Sequence, residues 1–291
     1  MKLVWGIGRL APKAKSAQKN TNENQDAVSQ SMPNPFQSEI QKALDAKKRE
    51  ADSASDLIKT ERIKFEGLSK ISCNMNSLCQ VGNKGPGGGI VIYAGQIRQA
   101  WGQYIEMAPS GWYASVKNKL PGVQENGVGD PSTYWCENSE MDLTGSVTSQ
   151  ELKSKLGIEI GKGFSNTQLM LAGCKSGAGR LANSYRGGGL SDWFLPSISE
   201  LNELCKFASG IATGVGMTIP GSTFSDASSC GSREMRGSYT ALGDFFRGEN
   251  RKYWSSSENS NNRAWCQMFD DMWTSNWEKS NQLLVRPIRA F

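Results

Sequence analysis

The closing stretch AWCQMFDDMWTSNWEKSNQLLVRPIRAF, residues 264–291, decides how the chain is read. Side chains alternate between the two faces of a strand. Trp265, Gln267 and Phe269 therefore share one face, and Cys266, Met268 and Asp270 share the other. The first set carries two large aromatics and suits a core. The second has no shared polarity, as expected of a face that touches something outside its own domain. Trp273 and Trp277 extend that second set, and exposed Trp and Met are enriched where proteins grip partners. The final seven residues, VRPIRAF, read as a tightly specified core strand.

Working outward, the composition narrows the chemistry. The 291 residues carry a formal charge of +5 and contain no histidine. Lys and Arg are interleaved with Asp and Glu, without the basic stripe that tracks phosphates, so no nucleic-acid partner is expected. Absence of histidine removes Ser-His-Asp and Cys-His nucleophile systems and imidazole-ligated zinc. A non-enzymatic role follows as the expectation. Three glycine runs, GPGGG (85–89), GIEIGKG (157–163) and RGGGL (186–190), lack the GxxxxGK[ST] pattern and read as tight turns.

Seven cysteines are present and none forms a CxxC pair. Three disulfides with one odd thiol is the preferred count, with all-free cysteines as the other. Disulfides imply an oxidising compartment. Cys266 reads as an exposed, incidental thiol, since Trp265 and Gln267 offer it no activation. No apolar stretch reaches the length of a secretory signal or a membrane span, so no membrane insertion is expected. Export then depends on a signal absent from this chain or on another route, such as assembly into a virion. No cofactor is expected. Calcium is the one candidate raised by the carboxylates of Glu258, Asp270 and Asp271, which lack EF-hand spacing.

Three regions follow from the pattern. Residues 1–33 are polar and read as an extended arm. Residues 34–72 read as a helical stalk or assembly segment, opened by Asn34-Pro35. Steps of four and three place Ile40, Leu44, Lys47, Ala51, Ala54, Ile58, Glu61, Phe65 and Leu68 on one stripe. That stripe is either a self-association seam over 34–71 or the buried face of a helix packed on its own domain. Residues 73–291 form the main domain. Within it, helices are expected over 165–173, capped by Ser165 or Asn166, and over 197–207, where Ser197 and Glu200 have capping-box spacing. Strands are expected over 90–93, 192–195, 253–256, 263–270, 272–278 and 283–290, and 208–250 as loop.

The ordered series GPGGGIVIYAG, APSGW, YWC, AGCKSGAG, YRGGGLSDWFLPSISELNEL, YWSSSE and VRPIRAF resembles bacterial and phage C-type-lectin-like domains that close on VRPxRAF. These include adhesins, tail-fibre receptor-binding proteins and variable proteins of diversity-generating retroelements. The resemblance covers about residues 73–291 and implies an α+β, C-type-lectin-like fold: a twisted antiparallel sheet, two helices and long loops. It implies a fixed scaffold of Trp254, Ser255, Ser256, Ala264, Trp265, Gln267, Phe269, Val285, Arg286, Pro287, Arg289, Ala290 and Phe291. It also implies a variable ligand face of Asn259, Asn261, Asn262, Arg263, Cys266, Met268, Asp270, Trp273, Ser275, Asn276 and Trp277. The chain departs from the family at Met272, where glycine is usual. Disulfide pairs Cys73–Cys79, Cys136–Cys174 and Cys205–Cys230 follow from the resemblance, leaving Cys266 on the ligand face. The implied function is a displayed receptor-binding protein on a cell surface or virion, with a protein or glycan partner. A structural subunit of a filament, surface layer or virion is the alternative. An oxidase resembling formylglycine-generating enzymes, which share the broad fold and need a free Cys pair, is the third reading.

Overall fold

The computed structural model describes residues 35–68, 70–73, 78–125, 129–143, 157–208, 230, 252–269 and 273–291. The arm 1–33, nearly all of 208–250, and Asp270, Asp271 and Met272 lie outside the described residues. The chain divides into two units, Met1–Glu50 and Ala51–Phe291.

Helix α1 runs Pro35–Leu68, within the expected segment. Gly67 sits at its last turn, and the carbonyl of Leu68 accepts from Asn83 Nδ2 at 3.3 Å. In the first unit Ile40 and Leu44 of the stripe are exposed, at 56% and 55%.

The second unit is mixed α and β. A three-stranded antiparallel sheet orders β1 (Ile90–Gln99), β2 (Gly102–Met107) and β8 (Ile288–Ala290) with β2 central. A five-stranded sheet orders β3 (Ser132–Thr133), β7 (Leu283–Leu284), β4 (Lys252–Glu258), β5 (Arg263–Met268) and β6 (Thr274–Glu278). Its pairs are antiparallel except β4 with β7. Helices α2 (Gly163–Gly173), α3 (Ala178–Asn183) and α4 (Ile198–Ala208) pack on this framework.

VRPIRAF crosses between the two sheets, which explains its strictness. Val285 N donates to Pro131 O, and Ala108 N donates to Pro287 O. Ile288 exchanges both backbone bonds with Phe194. The expected strand 192–195 is this one bridge, and Pro287 splits the expected 283–290 strand in two. Proline has no N–H for a ladder, so a break there is physically required.

The two arginines of VRPIRAF each meet buried acid. Arg286 Nε lies 2.7 and 2.8 Å from the Asp130 oxygens, and both side chains are fully buried. Arg289 Nη1 reaches Glu106 at 3.1 Å, and its Nε reaches Asp192 at 2.6 Å. Glu106 also accepts from the amides of Gly87 and Gly89, so the GPGGG turn wraps a carboxylate rather than a phosphate. A Cβ on Gly87 would sit 2.5 Å from the Trp193 ring and 2.8 Å from Glu106 Oε1. Gly188 has φ +64°, and a Cβ there would come within 2.7 Å of Pro86 O. Two glycine runs far apart in sequence thus pack backbone to backbone, as tight turns and not as nucleotide cradles.

Helix α4 begins with the expected capping box: Ser197 N donates to Glu200 Oε2 at 2.7 Å, and Glu200 N to Ser197 Oγ at 3.3 Å. Helix α2 begins two residues before the expected 165, with Lys162 as its cap. Asn166 is buried inside it and donates to Gly157 O and Ser256 Oγ. Asn166 therefore braces the sheet and does not cap the helix. The disulfides are Cys73–Cys79, Cys136–Cys174 and Cys205–Cys230, the pairs the resemblance implies. They fit a secreted or extracellular protein. Among the described residues no helix is long and apolar enough to cross a membrane.

Candidate binding face

The segment YWSSSE holds β4 in place. The register between β4 and β5 shifts between Trp254 and Glu258, a bulge that absorbs three serines. Each serine is fully buried and engaged: Ser255 Oγ donates to Trp265 O, Ser256 N to Pro196 O, and Ser257 Oγ to Gly157 O. Small hydroxyls suit a bulge because they satisfy irregular backbone without demanding space. Ring nitrogens pin the flanking aromatics, Trp254 to Thr133 O at 2.9 Å and Trp135 to Ser255 O at 2.8 Å.

Register then divides the expected ligand residues between two faces. Residues paired directly across an antiparallel ladder point the same way. Ala264 pairs with Trp277, Cys266 with Ser275 and with Trp254, and Met268 with Lys252, which sets these on one face. Arg263 pairs with Glu278, Trp265 with Asn276 and Gln267 with Thr274 on the opposite face. The eleven expected residues therefore do not form one surface.

Nor is either face simply open. Cys266 is 0% exposed, packed with Trp135, Trp254 and Ala264 in an apolar cluster. This corrects the expectation of an exposed thiol: Cys266 shares its buried cluster with Trp112, Tyr113 and Trp135 and with Met170 of α2 and Leu181 of α3. Gln267 is buried beneath α4, where its Oε1 accepts from Asn202 at 3.3 Å. Trp265 is half-buried against the second cluster, which contains Tyr253, Phe269 and Leu204. The centre of β5 is thus covered on both sides.

What remains accessible lies at the strand ends and along β6, one of the two edge strands of this sheet among the described residues. Met268, Ser275 and Trp277 are half-buried on one face, and Trp273 is 45% exposed beside them, its carbonyl accepting from Met268 N at 2.8 Å. Lys252, absent from the expected set, holds its ammonium 4.4 Å from the centre of the Trp277 ring. Its parity with Trp254 in KYWSSSE was the available signal. At the other end the turn 259–262 presents Asn261 and Asn262 exposed, with Asn259 half-buried. Arg263 donates to both the carbonyl and the side-chain oxygen of Asn276, at 3.2 and 3.0 Å, and lies 3.7 Å from Glu278. Asp270 lies outside the described residues.

Beneath that turn sits a buried ion pair that the sequence did not disclose. Lys279 and Glu258 are both fully buried, and the ammonium donates to Glu258 Oε1. Burial pushes the Glu258 carboxyl up and the Lys279 ammonium down, while each partner opposes the other's shift. Glu258, one of the three carboxylates raised for calcium, is thus held by an internal cation, and Asp270 and Asp271 lie outside the described residues. Cys136, Glu137 and Cys174 also cluster, but the two sulfurs are bonded to each other. Burial raises the Glu137 carboxyl, but the amides of Lys175 and Ser176 outweigh it and hold the group below its usual value.

The other buried acids are likewise committed to the fold. Burial raises Asp130 and Glu106 against the pull of Arg286 and of the Gly87 amide and Arg289 respectively. Glu200 is pushed up to about 7 by burial, opposed by the amides of Ser197 and Gly161. Each is a bracing group with structural partners. Comparisons with protein-family models, with curated proteins and with solved structures find no match for the chain.

Proposed function

We propose that residues 73–291 are a C-type-lectin-like, non-enzymatic binding domain displayed on a cell surface or virion. Its ligand face is smaller than the resemblance implies and lies at the β6 side of the larger sheet. The observation that carries the reading is the half-exposed group Lys252, Met268, Trp273 and Trp277 on a rigid, bulge-pinned sheet. Aromatic anchors beside a fixed cation suit a protein or glycan receptor, since such residues dominate binding energy at interfaces. The turn 259–262 adds Asn261 and Asn262 as adaptable polar contacts. Diversification of such a face by a retroelement remains part of the proposal, restricted to positions the core does not claim. Six of the seven cysteines are paired, which supports the binding reading over an oxidase that needs a free Cys pair.

A glycan array and a cell-surface capture screen on the full chain supply the ligand. Trp273→Ala with Trp277→Ala then loses at least about tenfold in affinity while the far-ultraviolet spectrum is retained and unfolding stays cooperative. Unchanged binding in that folded variant removes the face.

A structural subunit is the second reading, favoured by one observation. Ile40 and Leu44 stand more than half exposed one turn apart on α1. Such a stripe is a seam for a second copy of the same helix.

A further inference from the structure

We propose that Lys279 is a built-in cation, a positioning residue whose ammonium fills a socket of oxygens and holds two loops together beside the binding face. Lys279 Nζ donates to the carbonyls of Met141 and Asn261, each at 2.6 Å, and to Glu258 Oε1. The Trp135 ring lies 4.7 Å away on the fourth side. Glu258 Oε1 also accepts from Leu143 N at 3.3 Å. Two neutral carbonyls, one carboxylate and a π face are the donor set that a small cation would take. Here the chain supplies the cation on its own side chain.

The consequence is a link between segments distant in sequence. Met141 and Leu143 belong to the loop after Cys136, which folds on itself through Met141 N to Asn138 O at 3.1 Å. Asn261 belongs to the turn 259–262, and Lys279 N donates to Asn262 O at 2.9 Å. One lysine thus fixes the turn from both its backbone and its ammonium. Asp142 and Glu140 of the first loop also place negative charge near the ammonium. The inference rests on this geometry and holds whether or not the turn touches a ligand.

Lys279→Met keeps the stem over Trp135 and removes the charge. Hydrogen exchange on the full, disulfide-intact chain should then rise by roughly tenfold or more in 259–262 and 139–143, with 104–107 unchanged. Unchanged exchange in the two loops, or a uniform rise throughout, overturns the proposal. Lys279→Ala shortens the side chain by three methylenes and the ammonium. Propylammonium, which restores those atoms, should recover protection in both loops, and tetramethylammonium, which has no N–H, should not. Recovery with both ions or with neither overturns the socket. If Lys279→Ala does not fold, Lys279→Met alone decides.

Discussion

Replacing Arg286 by Met tests whether VRPIRAF is strict because of buried charge. The guanidinium gives Asp130 two short contacts, at 2.7 and 2.8 Å, and donates to Ala108 O at 3.1 Å. Methionine retains most of the apolar stem but leaves Asp130 with the Tyr253 hydroxyl at 2.7 Å and the Trp112 ring N–H at 3.0 Å. Two neutral donors soften the loss without matching a cation. Breaking a buried pair from one side costs about 3–5 kcal/mol, and a stranded carbonyl adds to it. The expected loss is therefore about 4 kcal/mol at pH 7, a large share of the roughly 5–15 kcal/mol that holds a typical domain.

Urea unfolding with the disulfides intact measures the loss, and pH identifies its source. Burial already raises Asp130 above its ordinary value, with Arg286 opposing. Without Arg286 the carboxyl rises further, so the folded variant binds a proton that its unfolded chain has released. Stability of the variant then falls as pH rises above the unfolded carboxyl value and recovers on acidification. The gap between parent and variant should narrow towards pH 4. Asp130→Asn combined with Arg286→Met should be less harmful than Arg286→Met alone, because no charge is stranded. A loss under about 1 kcal/mol at pH 7, or a gap independent of pH, refutes the reasoning.

Two further outcomes follow. Glu200 is pushed up to about 7 by burial, so the folded state holds its proton while the unfolded state releases it above about 4.5; stability contributed here falls as pH rises from 4.5 to 7, by at most about 3 kcal/mol, and Glu200→Gln flattens that slope in urea melts across the range. If α1 is a self-association seam, Ile40→Glu with Leu44→Glu lowers the mass of the full chain by light scattering to that of one copy; a chain that is already monomeric before substitution removes the seam.

The sequence disclosed those parts of the fold where one residue type has one structural use. Ser197 and Glu200 at capping spacing could only open a helix, and they do. Glycine runs without a phosphate-binding pattern could only be turns, although nothing local showed that Glu106, nineteen residues after Gly87, would bind their amides. Strand 192–195 failed because Trp193-Phe194-Leu195 is apolar for burial rather than for pairing; only Phe194 forms a bridge. Helix α3 was missed because AGRLAN follows a glycine-rich run that reads as loop. Glu258 and Lys279 stayed hidden because charged residues near a turn normally stay in water. Only the three-dimensional approach of Met141, Asn261 and Trp135 makes Lys279 a core residue.

Cys266 shows where alternation stops being a guide to exposure. Period two separates the faces of a strand, and the register upholds that separation: Cys266, Met268, Ser275 and Trp277 do share one side. It does not say which side is wet, because a central strand can be covered on both. Three residues along the same face make the distinction sharp. Ala264 and Cys266 lie under the Trp135 and Trp254 cluster at 0% exposure, while Met268 at the strand end emerges. A larger residue at 266 would have to displace tryptophan rings in a close-packed core, a change that typically costs about 1–3 kcal/mol. Substitution at 268, 273, 275 or 277 meets water on at least one side. If this surface is one that varies, the fold itself confines the variation to the rim of the sheet, and the buried thiol belongs to the scaffold.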